Sequence, residues 1–209
     1  MYLPKGFEET RVEVLHAFIR ARSFGALVAM TAEGLSVDHI PFLLEETDGS
    51  LGVLRGHVAR ANPIVNAALA GTDAVVVFQG PDHYITPSWY PTKQETGKVV
   101  PTWNYVVVHA HGPLRLVDDP KWLRAHVEVL VDAHEGERQD AWKVTDAPDD
   151  FVTKLLGAIV GVELPIARLS GKWKLGQNRS EADQAGVAAG LLRENDGSAE
   201  ELARLMKKG

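Results

Sequence analysis

Between Phe24 and Val117 the sequence packs β-prone apolar runs so closely that most of the links between them are too short to hold a crossover helix. FGALVAM (24–30) and LSVDHIPFLL (35–44) flank the acidic-glycine turn AEG (32–34), and LGVLRGHVA (51–59) follows a second turn at 46–50. AVVVFQG (74–80) comes after one short helical stretch, and VVPTWNYVVVHAHGPLRLV (99–117) is a long strand segment interrupted at Gly112-Pro113. Parallel strands need connections of a dozen residues or more, so short links of this kind demand antiparallel hairpins. They argue against a regular βαβ array. Five or six strands with helices at the ends and between them predict a mainly β fold, a β-barrel with flanking helices.

The helices are signalled by caps and by spacing. Thr10 with Glu13 fits a capping box before the stripe Val12, Leu15, Phe18, Ile19, and Asn62-Pro63 opens a short helix that closes at Gly71. Asp119 and Pro120 open a longer one with Trp122, Leu123, Val127 and Leu130 on its inner side, and another begins near Pro148 with Phe151, Leu155 and Leu156. IVGVELPIARL (159–169) reads as a strand. Ser180 with Asp183 and Ser198 with Glu201 read as helix starts, the latter opening GSAEELARLMKKG (197–209), a surface helix or tail. No internal repeat or low-complexity tract interrupts the chain.

Composition removes several classes of function. The absence of cysteine excludes disulfides, thiolate catalysis and cysteine-held zinc or iron–sulfur sites. The 28 acidic residues outnumber 22 scattered basic ones, for a net charge of −6, so direct DNA binding, though possible, is not supported by charge. The start MYLPKGFEET has no apolar signal region, and no apolar run is long enough to span a bilayer, so a cytoplasmic protein is expected, with no membrane partner. GxGxxG, Walker-type and GxSxG motifs are absent.

Four segments can carry chemistry. In RGHVARANP (55–63) a strand gives way to a helix, so backbone N–H groups and Arg60 converge where an anion is favoured, with Arg55 and His57 on one strand face; the bland reading is a solvated arginine and a capped helix. GPDHYITPSWYPTKQETGK (80–98) with VPTWNYVVVH (100–109) offers Tyr84, Trp89, Tyr90, Trp103 and Tyr105 as flat surfaces. Beside them stand Ser88, Thr102 and Asn104, with Lys93 and Lys98 in a loop. This mixture suits a planar heteroaromatic ligand with an anionic tail, or equally a core or a dimer interface. His109 and His111 share a strand face but lack a third ligand at short spacing, so no metal is expected. GKWKLGQNRS (171–180) sets Lys172 and Lys174 opposite Trp173, near Gln177, Asn178 and Arg179, and can clamp an acidic ligand or a neighbouring carboxylate.

Taken in order, YLPKGFEET, GHVARANP, GPDHYITPSWYPTK, VPTWNYVVVHAHG and KWKLGQNRS resemble the PaiB family of FMN-binding split-barrel proteins over nearly the whole chain. Gly176 and Thr86 depart from the serines more common there. The resemblance implies the split barrel of the pyridoxamine-phosphate oxidases and flavin reductases, a homodimer holding FMN at the subunit interface, and negative transcriptional regulation of sporulation and degradative-enzyme genes. It implies that residues 1–178 form the FMN-binding domain, with 179–209 a helical extension packed on it. In that picture Arg60 and Lys93 neutralise the FMN phosphate, and Arg55, His57, Ser88, Thr102 and Asn104 meet the flavin's polar edge. Trp89, Tyr90 or Trp103 pack along the ring, and Lys174, Gln177 and Asn178 come from the second subunit. Three functions follow: an FMN-binding regulator, a flavin-dependent oxidoreductase or flavin reductase, and, in the same barrel, a haem protein with His57, His109 or His111 as axial ligand.

Overall fold

The computed structural model describes residues 1–47 and 49–207. In chain order the elements are β1 (Glu8–Glu9), α1 (Val12–Ala21), β2 (Phe24–Thr31), β3 (Gly34–Pro41), β4 (Leu43–Glu45), β5 (Val53–Ala59), α2 (Ile64–Leu69), β6 (Asp73–Ile85), α3 (Thr92–Thr96), β7 (Thr102–Pro113), β8 (Arg115–Val117), α4 (Pro120–Glu135), α5 (Asp149–Leu156), β9 (Ile159–Pro165), β10 (Arg168–Lys174), α6 (Glu181–Leu191) and α7 (Gly197–Met206). Asp48, in the expected turn at 46–50, and Lys208 and Gly209, at the end of the expected tail helix, lie outside the described residues. Among the described residues no helix is long and apolar enough to cross a membrane.

The elements form two compact units. One comprises Met1–Leu15, Gln79–His109 and Ser170–Gly209, the other His16–Phe78 and Ala110–Leu169; β6 and β7 each continue along the chain from one into the other.

The second unit is built on the expected hairpin. β2 and β3 pair antiparallel from Phe24↔Pro41 to Thr31↔Gly34, with Gly34 at φ +110°, a conformation open to glycine because it has no Cβ. Its strands run β6-β2-β3 in one sheet and β4-β5-β9-β8 in the other. Strict alternation along β5 turns Leu54, Gly56 and Val58 inward and leaves Arg55 and His57 on the opposite face. Leu27, Phe42, Leu54, Val76, Phe78, Val162 and Leu164 are fully buried, and Phe42 meets Phe78 edge to face at 6.0 Å. Each such side chain contributes about 1.5–3 kcal/mol of apolar burial. The Asp119-Pro120 signal is also realised: the Asp119 carboxylate accepts the Lys121 N–H at 2.8 Å and α4 starts at the proline.

In the first unit the strands run β1-β10-β7-β6, with Glu8 opposite Lys172 and Glu9 opposite Gly171. Helix α6 starts where expected, the Ser180 hydroxyl accepting the Asp183 N–H at 3.2 Å. The start of α7 differs from expectation. Asp196 is the cap, accepting from Ser198 N and Ala199 N, and Ser198 instead ties its hydroxyl to the backbone of Asp82 in both directions.

Three further corrections concern strands. β6 runs five residues past the expected end at Gly80, through Pro81 to Ile85. The expected strand 35–44 breaks at Phe42, whose fully buried ring leaves β3 and β4 on either side. The expected strand 159–169 splits into β9 and β10, and β10 carries on past the expected end at Leu169 through Trp173 to Lys174.

Candidate functional site

Arg55 and His57 leave β5 on the face covered by α4. Opposite His57 in β9 stands Gly161, where a Cβ would lie 2.3 Å from the Trp122 ring, so only glycine lets α4 approach this closely. Trp122 stacks on His126 (5.0 Å between ring centres, 15° between planes), and His126 meets His57 edge-on, with Nε2 3.3 Å from His57 Nδ1. Burial pushes both imidazoles towards neutrality. For His126 burial, reinforced by the charges of His57 and Arg55, brings the pKa down to about 4. Its Nδ1 is buried without a hydrogen-bond partner among the described residues. Arg55 is already committed: it pairs with Glu45 and, at 2.9 Å, with Glu163, its β9 neighbour, and lies 5.9 Å from the Trp122 ring. Beside this cluster opens a cavity of about 390 Å³ lined by Leu43, Leu44, Arg55, Trp122, His126 and Val129, among others.

Arg60 is likewise engaged. Its guanidinium makes a two-pronged pair with Asp118 at 2.7 and 2.8 Å and donates to the carbonyls of Gly157 and Ile159. Asp118 raises the already high pKa of Arg60, and Arg60 holds the Asp118 carboxyl below its usual range. At the start of α2 the Asn62 side-chain oxygen accepts the Ile64 N–H at 2.9 Å, so this helix end is capped from within the chain.

The aromatic residues of the first unit fall into two groups. Trp89 packs on α6, where a Cβ at Gly190 would lie 2.2 Å from its ring, and stacks on His83 at 6.0 Å. Tyr90 is 3% exposed with the Arg179 guanidinium 5.0 Å above it. These two rings anchor the loop, and Asp183 of α6 fixes it further, accepting from both the Thr92 N–H and hydroxyl. Trp103, by contrast, is 53% exposed and lies edge-on to Tyr84, itself 43% exposed. Trp103 and Tyr105 line a cavity of about 340 Å³ together with Gln79 and Asp82.

Polar groups gather beside the open aromatic pair. Lys174 Nζ donates to the Thr102 hydroxyl and, at 2.6 Å, to the Trp103 carbonyl. Burial first, then the nearby charges of Lys172 and Arg179, hold its pKa below the usual lysine value. Lys93, expected in a loop, lies in the short helix α3, and its Nζ donates to Ser88 Oγ at 3.3 Å on the exposed surface. Asn104 is buried, its amide 3.9 Å from Met206 Sδ. Gln177 clips its own turn, accepting from Leu175 N and donating to the Trp173 carbonyl around Gly176 at φ +82°, and Asn178 is exposed.

Thr102, Trp103 and Lys174 are thus brought together, as are Ser88 with Lys93 and Arg55 with His57. Tyr105 and Lys172, expected as a flat surface and as a cationic clamp, join these clusters. Trp122 and His126 belong to them as well and were not expected as site residues, because nothing local signals it. FMN is a flat apolar ring with a polar edge and a phosphate tail. An open Trp–Tyr pair beside a cavity, hydroxyl and amide groups, and ammonium groups fits that molecule in kind.

Comparison with known proteins agrees. A family model described as "Putative FMN-binding domain" matches residues 1–168. The uncharacterized protein AN0679 of Emericella nidulans is 36% identical, covering 91% of this chain and 90% of its own. Protease synthase and sporulation protein PAI 2 of Bacillus subtilis is 31% identical, covering 99% and 97%. The flavocytochrome Anf3 of Azotobacter vinelandii superposes with a TM-score of 0.61 at 17% identity, over 86% of this chain and 75% of that one, which shows a shared fold. The expected fold class, mainly β with flanking helices on the flavin split-barrel plan, therefore holds. With the family model covering most of its length and PAI 2 nearly all of it, the chain belongs to the PaiB-like family of FMN-binding proteins, and FMN is its cofactor.

Proposed function

We propose that the protein is an FMN-binding regulator of PaiB type that works as a homodimer in the cytoplasm. The observation that carries the reading is the open Trp103–Tyr84 pair with Lys174 and Thr102 at its side, a surface suited to a phosphorylated planar ring. Trp103 packs along the ring in this reading, and Thr102 and Lys174 meet its polar groups. Of the other residues the resemblance assigns, Ser88, Lys93 and Asn178 stay on exposed surface, Trp89, Tyr90, Asn104 and Gln177 shape the walls and turns of the first unit, and Arg55, His57 and Arg60 are engaged within the second. Residues 1–178 form the flavin-binding domain with 179–209 packed on it, a division supported by the hold of Asp183 and Gly190 on the loop around Trp89 and Thr92.

The regulatory part rests on the kinship with PAI 2, whose name records a role in protease synthesis and sporulation. With a net charge of −6, regulation acts through a partner or a metabolite rather than by gripping DNA. The test has two parts. FMN titration of the purified protein, followed by flavin absorbance and fluorescence, gives saturable one-to-one binding that Trp103→Ala weakens by about tenfold. A gel shift at low salt shows no retardation of DNA by holo or apo protein. Absence of FMN binding sinks the whole reading, and retarded DNA sinks the indirect route.

A further inference from the structure

The first unit contains a lysine whose charge its protein neighbours do not offset. Lys172 is only 8% exposed. Its Nζ donates to the Tyr2 carbonyl at 3.1 Å and lies 5.2 Å from the centre of the Tyr105 ring and 5.8 Å from that of Tyr2. Lys174, two residues along β10 and so on the same face, approaches the same Tyr105 ring at 5.9 Å. Among the described residues no carboxylate lies within 4.0 Å of either ammonium. Glu8, opposite Lys172 in β1, is exposed and makes no ion pair with it.

A buried ammonium gives up hydration at a cost of several kcal/mol, and tyrosine faces return about 2 kcal/mol at best. Two ammonium groups set against one ring also repel each other. An ammonium has three donors. Among the described residues Lys172 commits one of them to protein and Lys174 two, so both keep N–H groups for another acceptor. Tyr105, the ring they share, also lines the cavity of about 340 Å³ that opens beside Trp103. The one acidic side chain lining that cavity, Asp82, is held by Gln79 at 2.9 Å. The arginine to which the resemblance gives the phosphate is in contrast closed off, since an anion at Arg60 has to displace Asp118.

We propose that Lys172 and Lys174, both set against the Tyr105 ring, form a receptor for the oxyanion of a bound ligand. That oxyanion is either the phosphate of the flavin itself or one carried by a separate small ligand. The first case rests on the flavin reading above; the second does not.

The full-length wild type, Lys172→Met and Lys174→Gln are each titrated with FMN and with riboflavin, which lacks the phosphate. Thermal unfolding of each is followed with and without inorganic phosphate. If the flavin phosphate sits on the lysines, the wild type prefers FMN to riboflavin by about tenfold to a hundredfold, and both variants lose most of that preference. If the oxyanion belongs to another ligand, the preference is the same in all three proteins, and phosphate raises the Tm of the wild type by about 2 °C but not that of the variants. An unchanged preference together with an unchanged phosphate response overturns the proposal. A wild type that binds neither flavin overturns the flavin reading, and the phosphate response then decides this one alone. Lys174 is less buried than Lys172, so Lys174→Gln keeps the test in reach should Lys172→Met fail to fold.

Discussion

His126 is held where a positive charge is disfavoured, with Trp122 on one side, His57 on the other and Arg55 nearby. Its pKa in the folded protein is about 4, against about 6.5 when the chain is unfolded. Between those values the unfolded chain binds more protons than the native one. The stabilisation from neutral His126 is therefore complete above the unfolded value and is lost as pH falls from there towards 4. Urea unfolding is expected to show a loss of about 2 kcal/mol between pH 7 and pH 5 from this residue, and His126→Phe should flatten that slope. An equally steep slope in the variant assigns the acid sensitivity elsewhere. Gly161 carries a different demand. A methyl there would lie 2.3 Å from the Trp122 ring, so Gly161→Ala must displace α4 or the indole and should cost about 1–3 kcal/mol in the same measurement. Gly176 is the reverse case, where a Cβ would meet only ordinary van der Waals contacts, with Arg179 and Asn104 at 3.9 Å, but φ is +82°. Restoring serine there is expected to destabilise by about 1 kcal/mol through the backbone alone.

Helix α6 does more than cover the first unit. It pins the loop from Thr86 to Gly97 through Asp183, a buried carboxylate that takes two hydrogen bonds from Thr92, and through Gly190, against which Trp89 packs. Asp183→Ala removes both bonds, and the loop should open locally with little change elsewhere. Trypsin cleavage at Lys93 or Lys98 is expected to accelerate by about tenfold or more, and a cleavage rate equal to wild type counts against the clamp. This pinning was only half legible in the sequence. Ser180 announced the start of α6, but the partner of Asp183 lies 91 residues away. The hairpin at Gly34 and the Asp119-Pro120 helix start were readable because turn and cap chemistry is local. β6 was cut short because Gly80, Pro81 and Asp82 are turn residues by propensity, whereas here the sheet overrides them. The same limit governed the site. Residue types and their neighbourhood pointed to a flat, phosphorylated ligand, yet nothing local distinguishes Trp89 and Tyr90, which anchor, from Trp103, which stays open. Nor does any spacing show that Asp118, 58 residues on, already occupies Arg60.

A homodimer needs a face that one copy leaves uncovered, and the second unit has one. In its β6-β2-β3 sheet the outward positions of the hairpin are Phe24, Ala26, Val28 and Met30 on β2, opposite Pro41, His39, Val37 and Leu35 on β3. Phe24, Met30, Leu35 and Val37 are each more than half exposed, and the outward positions of the hairpin carry no acidic or basic side chain apart from His39, with Asp73 of β6 at the margin of the face. Apolar surface gathered on an edge hairpin is an aggregation hazard unless something covers it. In the homodimer proposed above a second copy would cover it, because in a two-fold contact the same patch meets itself. Contact of that kind is driven by apolar burial rather than by charge. Raising salt from about 0.05 to 0.5 M should therefore not dissociate the proposed dimer, even though each chain carries a net charge of −6. Val37→Glu should dissociate it, because two-fold symmetry places two carboxylates in one desolvated seam, weakening association by about a hundredfold or more. Sedimentation of wild type and Val37→Glu over a range of concentrations gives both answers. A variant that keeps the wild-type mass at every concentration removes this face from the interface, whereas a monomeric variant that has also lost FMN affinity ties the flavin to the paired state.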